Sequence, residues 1–191
     1  MTWRSSLAAH DGRAALVFGR AASRTQAGPQ RFGASFVASG ANAFSMIAVV
    51  RRTVEDACLR LGGDPELASS LGVAAHELFE NAIKYVDDGQ VTVDLSLGRV
   101  GSKLETTVRA SNTASPDRLR QLAVVGAGIA DARDRMSYYR DRMIAVASVA
   151  EGSGLGLARI LGETNLQLMI AVDGRLARVE ASQTTELGGA P

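Results

Sequence analysis

The stretch DPELASSLGVAAHELFENAIKY, residues 64–85, decides the fold. Asp64 is suited to cap the N-terminus of a helix and Pro65 to occupy its first turn, so the stretch predicts a helix from Pro65 to Tyr85. Apolar residues recur every three or four positions and mark one buried face: Leu67, Leu71, Ala74, Leu78, Ala82 and Tyr85. Glu77, Asn81 and Lys84 fall on one stripe beside that face, because residues three and four apart share a side of a helix.

The elements on either side of this helix alternate between helical and extended patterns. A preceding amphipathic helix is predicted from about Ala41 to Leu61, and Gly62 suits its left-handed end. Strict alternation of apolar and polar residues predicts strands over 90–97 and 103–110, joined by a short loop. Weaker alternation predicts two short strands earlier in the chain, over residues 13–19 and 31–38.

The second half of the chain begins with a helical segment. Ser115-Pro116-Asp117 is typical of a helix start, Gly126 and Gly128 are predicted to interrupt it, and a longer helix is predicted from Ile129 to Val146. A glycine loop then opens a helix that ends near Glu163. Two final strands, over residues 166–172 and 176–181, are joined by an Asp-Gly hairpin signal.

This order of elements predicts an α+β fold, a two-layer sandwich with helices packed on one face of a mixed, mainly antiparallel sheet. Three regions are expected along the chain. Residues 1–30 form a poorly defined N-terminal arm, residues 31–181 a folded domain with a helical lid insert at 113–150, and residues 182–191 a disordered tail.

The composition excludes several classes of protein. The 191 residues suit one domain, and 46% apolar with 21% charged residues is ordinary globular composition. The net charge of +1 predicts no bulk attraction to nucleic acid or to a membrane surface. No apolar run approaches the roughly 18 residues of a membrane span, so the cytoplasm is the expected compartment. Cys58 is the single cysteine and is expected to be a small buried side chain.

The polar stripe on the central helix has residue types that serve phosphate chemistry. Glu77 can accept a proton from a hydroxyl, the amide oxygen of Asn81 is a hard ligand for Mg²⁺, and Lys84 can neutralise a phosphate oxygen. The alternative is a solvated helix face with an ordinary Glu/Lys pattern.

The glycine loop Gly152-Ser153-Gly154-Leu155-Gly156 lies directly before a predicted helix. Glycines allow close backbone approach, so that consecutive N–H groups and the helix N-terminus can bind an anion. No βαβ unit surrounds the loop and no Gly-Lys-Ser/Thr follows it, which excludes a Rossmann fingerprint and a P-loop. A flexible turn is the alternative.

Together the two motifs resemble a known family. Residues 76–85 resemble the N-box of the GHKL (histidine-kinase-like) ATPases, and residues 152–157 resemble their second glycine box, with a hairpin between the two. The resemblance covers residues 32–181. It extends to the anti-sigma-factor serine kinases through Phe36, Arg51-Arg52 and the Gly-Asp turn at residues 61–64.

The resemblance implies an ATP-binding protein that uses Mg²⁺ and transfers the γ-phosphate to a hydroxyl of a regulatory partner, such as an anti-sigma-antagonist-like domain. It assigns the base to Glu77 and the metal to Asn81. The family reads adenine with an Asp of a first glycine box, and here Asn112 is the residue whose amide can bind the adenine edge. The implied nucleotide-binding residues are Asn81, Lys84, Asn112, Gly152, Gly154, Leu155 and Gly156.

Two functions therefore remain open from the sequence. One is a serine/threonine protein kinase of this type, and the other is a non-catalytic protein-interaction module that keeps the fold with a degenerate nucleotide site. A self-phosphorylating sensor kinase is not favoured, because the one histidine upstream of His76 is His10, in a stretch without heptads. Topoisomerases and chaperone ATPases of this family need further domains. A homodimer is compatible with the sequence.

Overall fold

The computed structural model describes residues 15–18, 29–40, 43–87, 89–132, 134–147 and 155–187. A single 3-10 turn at Phe44–Met46 leads into the first helix. The helices are α1 (Ile47–Arg60), α2 (Pro65–Tyr85), α3 (Pro116–Ala130), α4 (Arg135–Ala147) and α5 (Leu155–Glu163). The strands are β1 (Ala15–Phe18), β2 (Gln30–Ala38), β3 (Val91–Val100), β4 (Lys103–Thr113), β5 (Gln167–Asp173) and β6 (Leu176–Glu186).

The described strands form one six-stranded sheet in the order β1-β2-β3-β4-β6-β5. Each pair of neighbours in that order is antiparallel. Helix α2 contacts α1 on one side, α5 on the other, and strand β4 beneath. The predicted α+β sandwich is therefore confirmed, with a sheet that is antiparallel throughout its described strands.

Helix α2 lies at the centre of the core. Its buried residues include Leu71, Ala74 and Leu78, which are at most 1% exposed. The alternating strand β3 turns Val93 and Leu97 toward them, equally buried, while the intervening polar residues lie on the opposite face of the sheet. Helix α2 repeats its apolar residues about every 3.6 positions, and strand β3 repeats them every second position. Each element therefore has one apolar face, and the two layers pack together through these faces.

The turn before α2 forms as the sequence predicts. Gly62 has a φ of +91°, the left-handed conformation that favours glycine. Asp64 then caps the helix, because its carboxylate accepts a hydrogen bond of 2.7 Å from the backbone N–H of Leu67. The turn fixes where α2 starts, and so which of its residues face the sheet.

The lid segment differs from the prediction. Helix α3 runs through Gly126 and Gly128 to Ala130, and α4 begins at Arg135, so the interruption at the glycines and the helix over 129–146 are both wrong. A Cβ at Gly126 would lie 3.4 Å from Ile170 and one at Gly128 would lie 3.5 Å from Tyr138, which are ordinary contacts, so α3 continues through both glycines without needing them for packing.

The C-terminal boundary also moves. Strand β6 continues to Glu186 and pairs with β4 along its whole length, so the predicted disordered tail is wrong for residues 182–186. Most of the N-terminal arm at 1–30 lies outside the described residues, as do residues 188–191. In the part of the chain that the structure describes, no helix combines the length and the apolar character that a membrane span requires.

Candidate functional site

Glu77 lies at the contact between helices α2 and α5. It is only 8% exposed, and its Oε1 accepts a hydrogen bond of 3.0 Å from Nη1 of Arg159 on α5. A buried carboxylate without such a partner would be energetically costly. The alternative of a solvated helix face is therefore wrong for Glu77, although the contact found is an ion pair and not an open catalytic position.

Arg159 is shared between two carboxylates. Its Nε donates a hydrogen bond of 2.8 Å to Glu163, one turn further along α5. The hydroxyl of Tyr139 on α4 donates to the other oxygen of Glu163 at 3.0 Å. The hydrogen bond with Glu163 raises the pKa of Tyr139, and the same carboxylate raises the pKa of Arg159. A connected chain of polar contacts thus joins α2, α5 and α4.

Gly156 sets how closely α5 approaches α2. A Cβ at this position would lie 2.6 Å from Oε2 of Glu77 and 2.9 Å from Nδ2 of Asn81. Both distances are shorter than real side chains show, so a larger residue here would force the side chains of Glu77 and Asn81, or α5 itself, to move. The first turn of α5 therefore packs directly against Glu77 and Asn81 of α2.

Beside this contact is a cavity of about 230 Å³ between the helices and the sheet. Its polar lining comes from Asn81 on α2, Asn112 on β4, Arg118 and Gln121 on α3, and Arg142 on α4. Its apolar lining consists of Leu78, Ala82, Tyr85, Ala110, Ala114, Leu119, Leu122, Val125, Leu157, Ala177 and Val179. An apolar cavity with a few convergent polar groups is the usual form of a small-molecule site.

The polar groups of the cavity differ in how far they are satisfied. Asn112 is 8% exposed, and its Nδ2 donates to the carbonyl of Thr113 at 3.2 Å. The guanidinium of Arg118 lies 5.9 Å from the centre of the Tyr85 ring. The Nε of Arg142 is buried and has no hydrogen-bond partner among the described residues. A buried donor without a partner is costly, and because this Nε is closed to solvent it is not an open ligand contact.

The structure brings together two of the predicted nucleotide-binding residues, Asn81 and Asn112, on facing walls of the cavity. Lys84 does not join them. Its side chain is exposed, its Nζ lies 2.9 Å from Glu80 and it does not line the cavity, so its predicted role at the phosphates stays a prediction.

The glycine loop is only partly within the described residues. Leu155 and Gly156 begin helix α5, and Leu157 is the residue of that turn that lines the cavity. Gly152 and Gly154 lie outside the described residues. The anion-binding role predicted for the loop therefore stays a prediction.

Three arginines of the site were not predicted from the sequence: Arg118, Arg142 and Arg159. The spacing of Arg159 and Glu163 is a visible signal, since residues four apart on a helix pair. The partner that matters, Glu77, is 82 residues away in the chain, and no local pattern reveals it. Arg142 lies in a helix whose apolar pattern is weak, so its position at the cavity could not be predicted from the sequence.

No protein-family model matches this sequence, and no curated protein matches it either. Among solved structures, a chain in the crystal structure of the SiaB–SiaC complex from Pseudomonas aeruginosa is similar to this chain, with a TM-score of 0.50. The two share 17% sequence identity, and the alignment covers 74% of this chain and 84% of that chain. At this identity the likeness shows that the fold is related, which agrees with the α+β sandwich described above.

Proposed function

We propose that this protein binds Mg-ATP in the cavity between α2, β4 and α4 and acts on a regulatory protein partner. The observation that carries the proposal is the convergence of Asn81, Asn112 and Arg142 on one largely apolar cavity. The amides offer both donors and acceptors for a base edge, and the guanidinium favours an anionic ligand.

The size of the cavity agrees with partial enclosure of a nucleotide. Pockets that bury a whole drug-sized ligand have volumes of about 300–1,000 Å³, and this cavity has about 230 Å³. Its apolar walls and its amides suit the base. The phosphates would extend toward Arg142 and the first turn of α5.

The residues present could hold Mg²⁺ only together with the phosphate oxygens of a bound nucleotide. No group of three or more His, Cys, Asp or Glu side chains that could hold a metal occurs among the described residues. Mg²⁺ commonly keeps several waters and takes one or two protein oxygens plus phosphate oxygens. Asn81 would supply such an oxygen, and the ion would neutralise charge on the phosphates.

The finer proposal is phosphotransfer to a serine or threonine of the partner. The partner's hydroxyl oxygen would form the new bond to the γ-phosphorus, the bond to the β-phosphate oxygen would break, and ADP would leave. Glu77 would take the hydroxyl proton, which requires it to be released from Arg159. The similar chain of the SiaB–SiaC structure belongs to a complex of two proteins. By analogy, we propose that this chain also binds a protein partner.

A second candidate is an interaction module without catalysis. The ion pair of Glu77 with Arg159 at 3.0 Å favours it, because the carboxylate assigned as base is engaged inside the protein. An assay of phosphate transfer separates the two: the kinase phosphorylates a partner in a Glu77-dependent manner, and the module binds its partner without doing so.

Isothermal calorimetry with ATP and Mg²⁺ tests the binding proposal. We expect wild-type protein to bind, and Asn112→Ala and Asn81→Ala to bind about two- to tenfold more weakly, since each loses one hydrogen bond of roughly 0.5–1.5 kcal/mol. Asn165→Ala is the matched control, because Asn165 is exposed and does not line the cavity. Equal affinity in all four proteins would reject the cavity as the site.

A further inference from the structure

We propose that Glu77, Arg159, Glu163 and Tyr139 form a latch that holds helix α4 against α5 and keeps Glu77 away from the cavity. The inference rests on the proposed function, because it concerns the regulation of the carboxylate assigned there as the base. We call these four residues the Glu77 latch.

Both oxygens of Glu77 are enclosed. Oε1 accepts from Arg159 at 3.0 Å, and Oε2 faces Gly156 so closely that a Cβ there would lie only 2.6 Å away. Glu77 does not line the cavity, whereas Asn81, one turn further along the same helix, does. A hydroxyl in the cavity therefore cannot reach the carboxylate until Glu77 or α5 moves.

Arg159 is itself restrained by the second carboxylate. Its Nε lies 2.8 Å from Glu163, and its Nη1 lies on Glu77, so the fork of the guanidinium spans both acids. Of the two carboxylate side chains, that of Glu77 is 10% exposed and that of Glu163 is 37% exposed. The more accessible end of the chain is therefore Glu163, where a change outside the core can act.

Tyr139 connects α4 to that accessible end. Its hydroxyl donates to Glu163 at 3.0 Å, and its ring lies against the backbone of α5, where a Cβ at Gly162 would overlap Cδ1. Three residues later the same helix carries Arg142 to the cavity. A single helix thus contacts both the latch and the ligand cavity.

These contacts make the release of Glu77 depend on movement of α4 or α5. Undocking α4 removes the hydrogen bond of Tyr139 and leaves Glu163 free to turn into solvent with Arg159. An anionic ligand at Arg142, or a partner that binds α4, would act on the same helix. The latch is therefore an autoinhibitory contact built into the two helices that border the site.

Carbodiimide labelling of carboxylates, located by tandem mass spectrometry, tests the latch in the full chain without nucleotide. We expect Arg159→Gln to label at Glu77 about two- to tenfold faster than wild type, the factor that corresponds to loss of one net hydrogen bond. Tyr139→Phe should accelerate labelling in the same direction. Glu80 serves as the internal reference, and Arg140→Gln, at an exposed arginine of α4, as the control.

Hydrogen exchange of residues 135–147 supplies the second readout, because both latch variants should exchange faster there and the control should not. Tyr139→Phe removes only a hydroxyl, so it remains informative if Arg159→Gln fails to fold. Unchanged labelling of Glu77 in the folded variants, or equal acceleration in Arg140→Gln, would overturn the latch. A wild-type protein that binds no ATP would reject the proposed function and leave the labelling result standing, because no nucleotide enters this experiment.

Discussion

Replacing Gly156 by alanine probes the contact on which the site is built. The new methyl group would lie 2.6 Å from Oε2 of Glu77 and 2.9 Å from Nδ2 of Asn81. Both atoms end side chains, but that of Glu77 is buried and held by Arg159 at 3.0 Å, so it cannot yield without breaking the ion pair. Helix α5 must therefore move away from α2 or lose this contact.

The magnitude follows from two opposing effects. Overpacking a closely packed contact lowers the free energy of unfolding by about 1–3 kcal/mol. Alanine in place of glycine within a helix raises it by about 0.5–1 kcal/mol. The expected net loss of unfolding free energy is about 0.5–2 kcal/mol. For a chain of this size, that lowers the melting temperature by roughly 1–8 °C. Nucleotide affinity should fall as well, because Asn81 is displaced from the cavity wall.

Urea unfolding and calorimetric titration of the same samples provide the assay. Gly33→Ala is the matched control, since its Cβ would meet nothing nearer than the carbonyl of Leu95 at 3.9 Å. We expect the control to be as stable as wild type or slightly more stable, by up to about 1 kcal/mol. If Gly156→Ala is also as stable as wild type and binds Mg-ATP equally well, then α5 does not approach α2 as described and the site is wrongly built.

Three further predictions concern single residues. Asp64→Ala should lower the unfolding free energy by about 0.5–2 kcal/mol, because the capping hydrogen bond of 2.7 Å from the backbone N–H of Leu67 is lost. Equal urea midpoints of the variant and wild type would show that the cap contributes nothing. Burial, and secondarily the charge of Asp64, raises the pKa of Cys58 from 9.0 to about 11. At pH 8 the Cys58 thiol of the folded protein should therefore be alkylated far more slowly than that of the unfolded chain. The free energy of unfolding should fall as the pH rises from 9 toward 11, because the unfolded chain then loses the thiol proton more readily. Rapid alkylation of the folded state would contradict this. Lys84→Ala should leave ATP affinity within about twofold, because Lys84 pairs with Glu80 outside the cavity; a loss of tenfold or more would restore its predicted role at the phosphates.

The parts of the fold with strong local signals could be predicted from the sequence. Helix α2 begins at Pro65 and ends at Tyr85 as predicted, because a capping Asp, a first-turn Pro and a regular apolar period all agree. Strand β3 follows in the same way from strict alternation. The boundary between α3 and α4 could not be predicted, because glycine inside a helix costs only about 1 kcal/mol and packing outweighs it.

Only some residues of the candidate site could be predicted from the sequence. Asn81 follows from helical spacing, whereas Asn112 was implied only by the resemblance to the family. Arg142 and Arg159 act through tertiary contacts, and the contact between Arg159 and Glu77 spans 82 residues of chain. Lys84 shares the predicted stripe but turns to Glu80, since an ion pair one turn away on the same helix competes with any more distant role.

Backbone amide NMR shifts recorded during a titration with Mg-ATP show whether the cavity bordered by α2, β4 and α4 binds the nucleotide. We expect the largest changes at Asn81, Asn112 and Leu122, which line the cavity on three different elements. Saturable changes confined to those walls would establish the site. No change at millimolar Mg-ATP, or changes centred on Asp94 and Arg109 of the opposite face of the sheet, would contradict it.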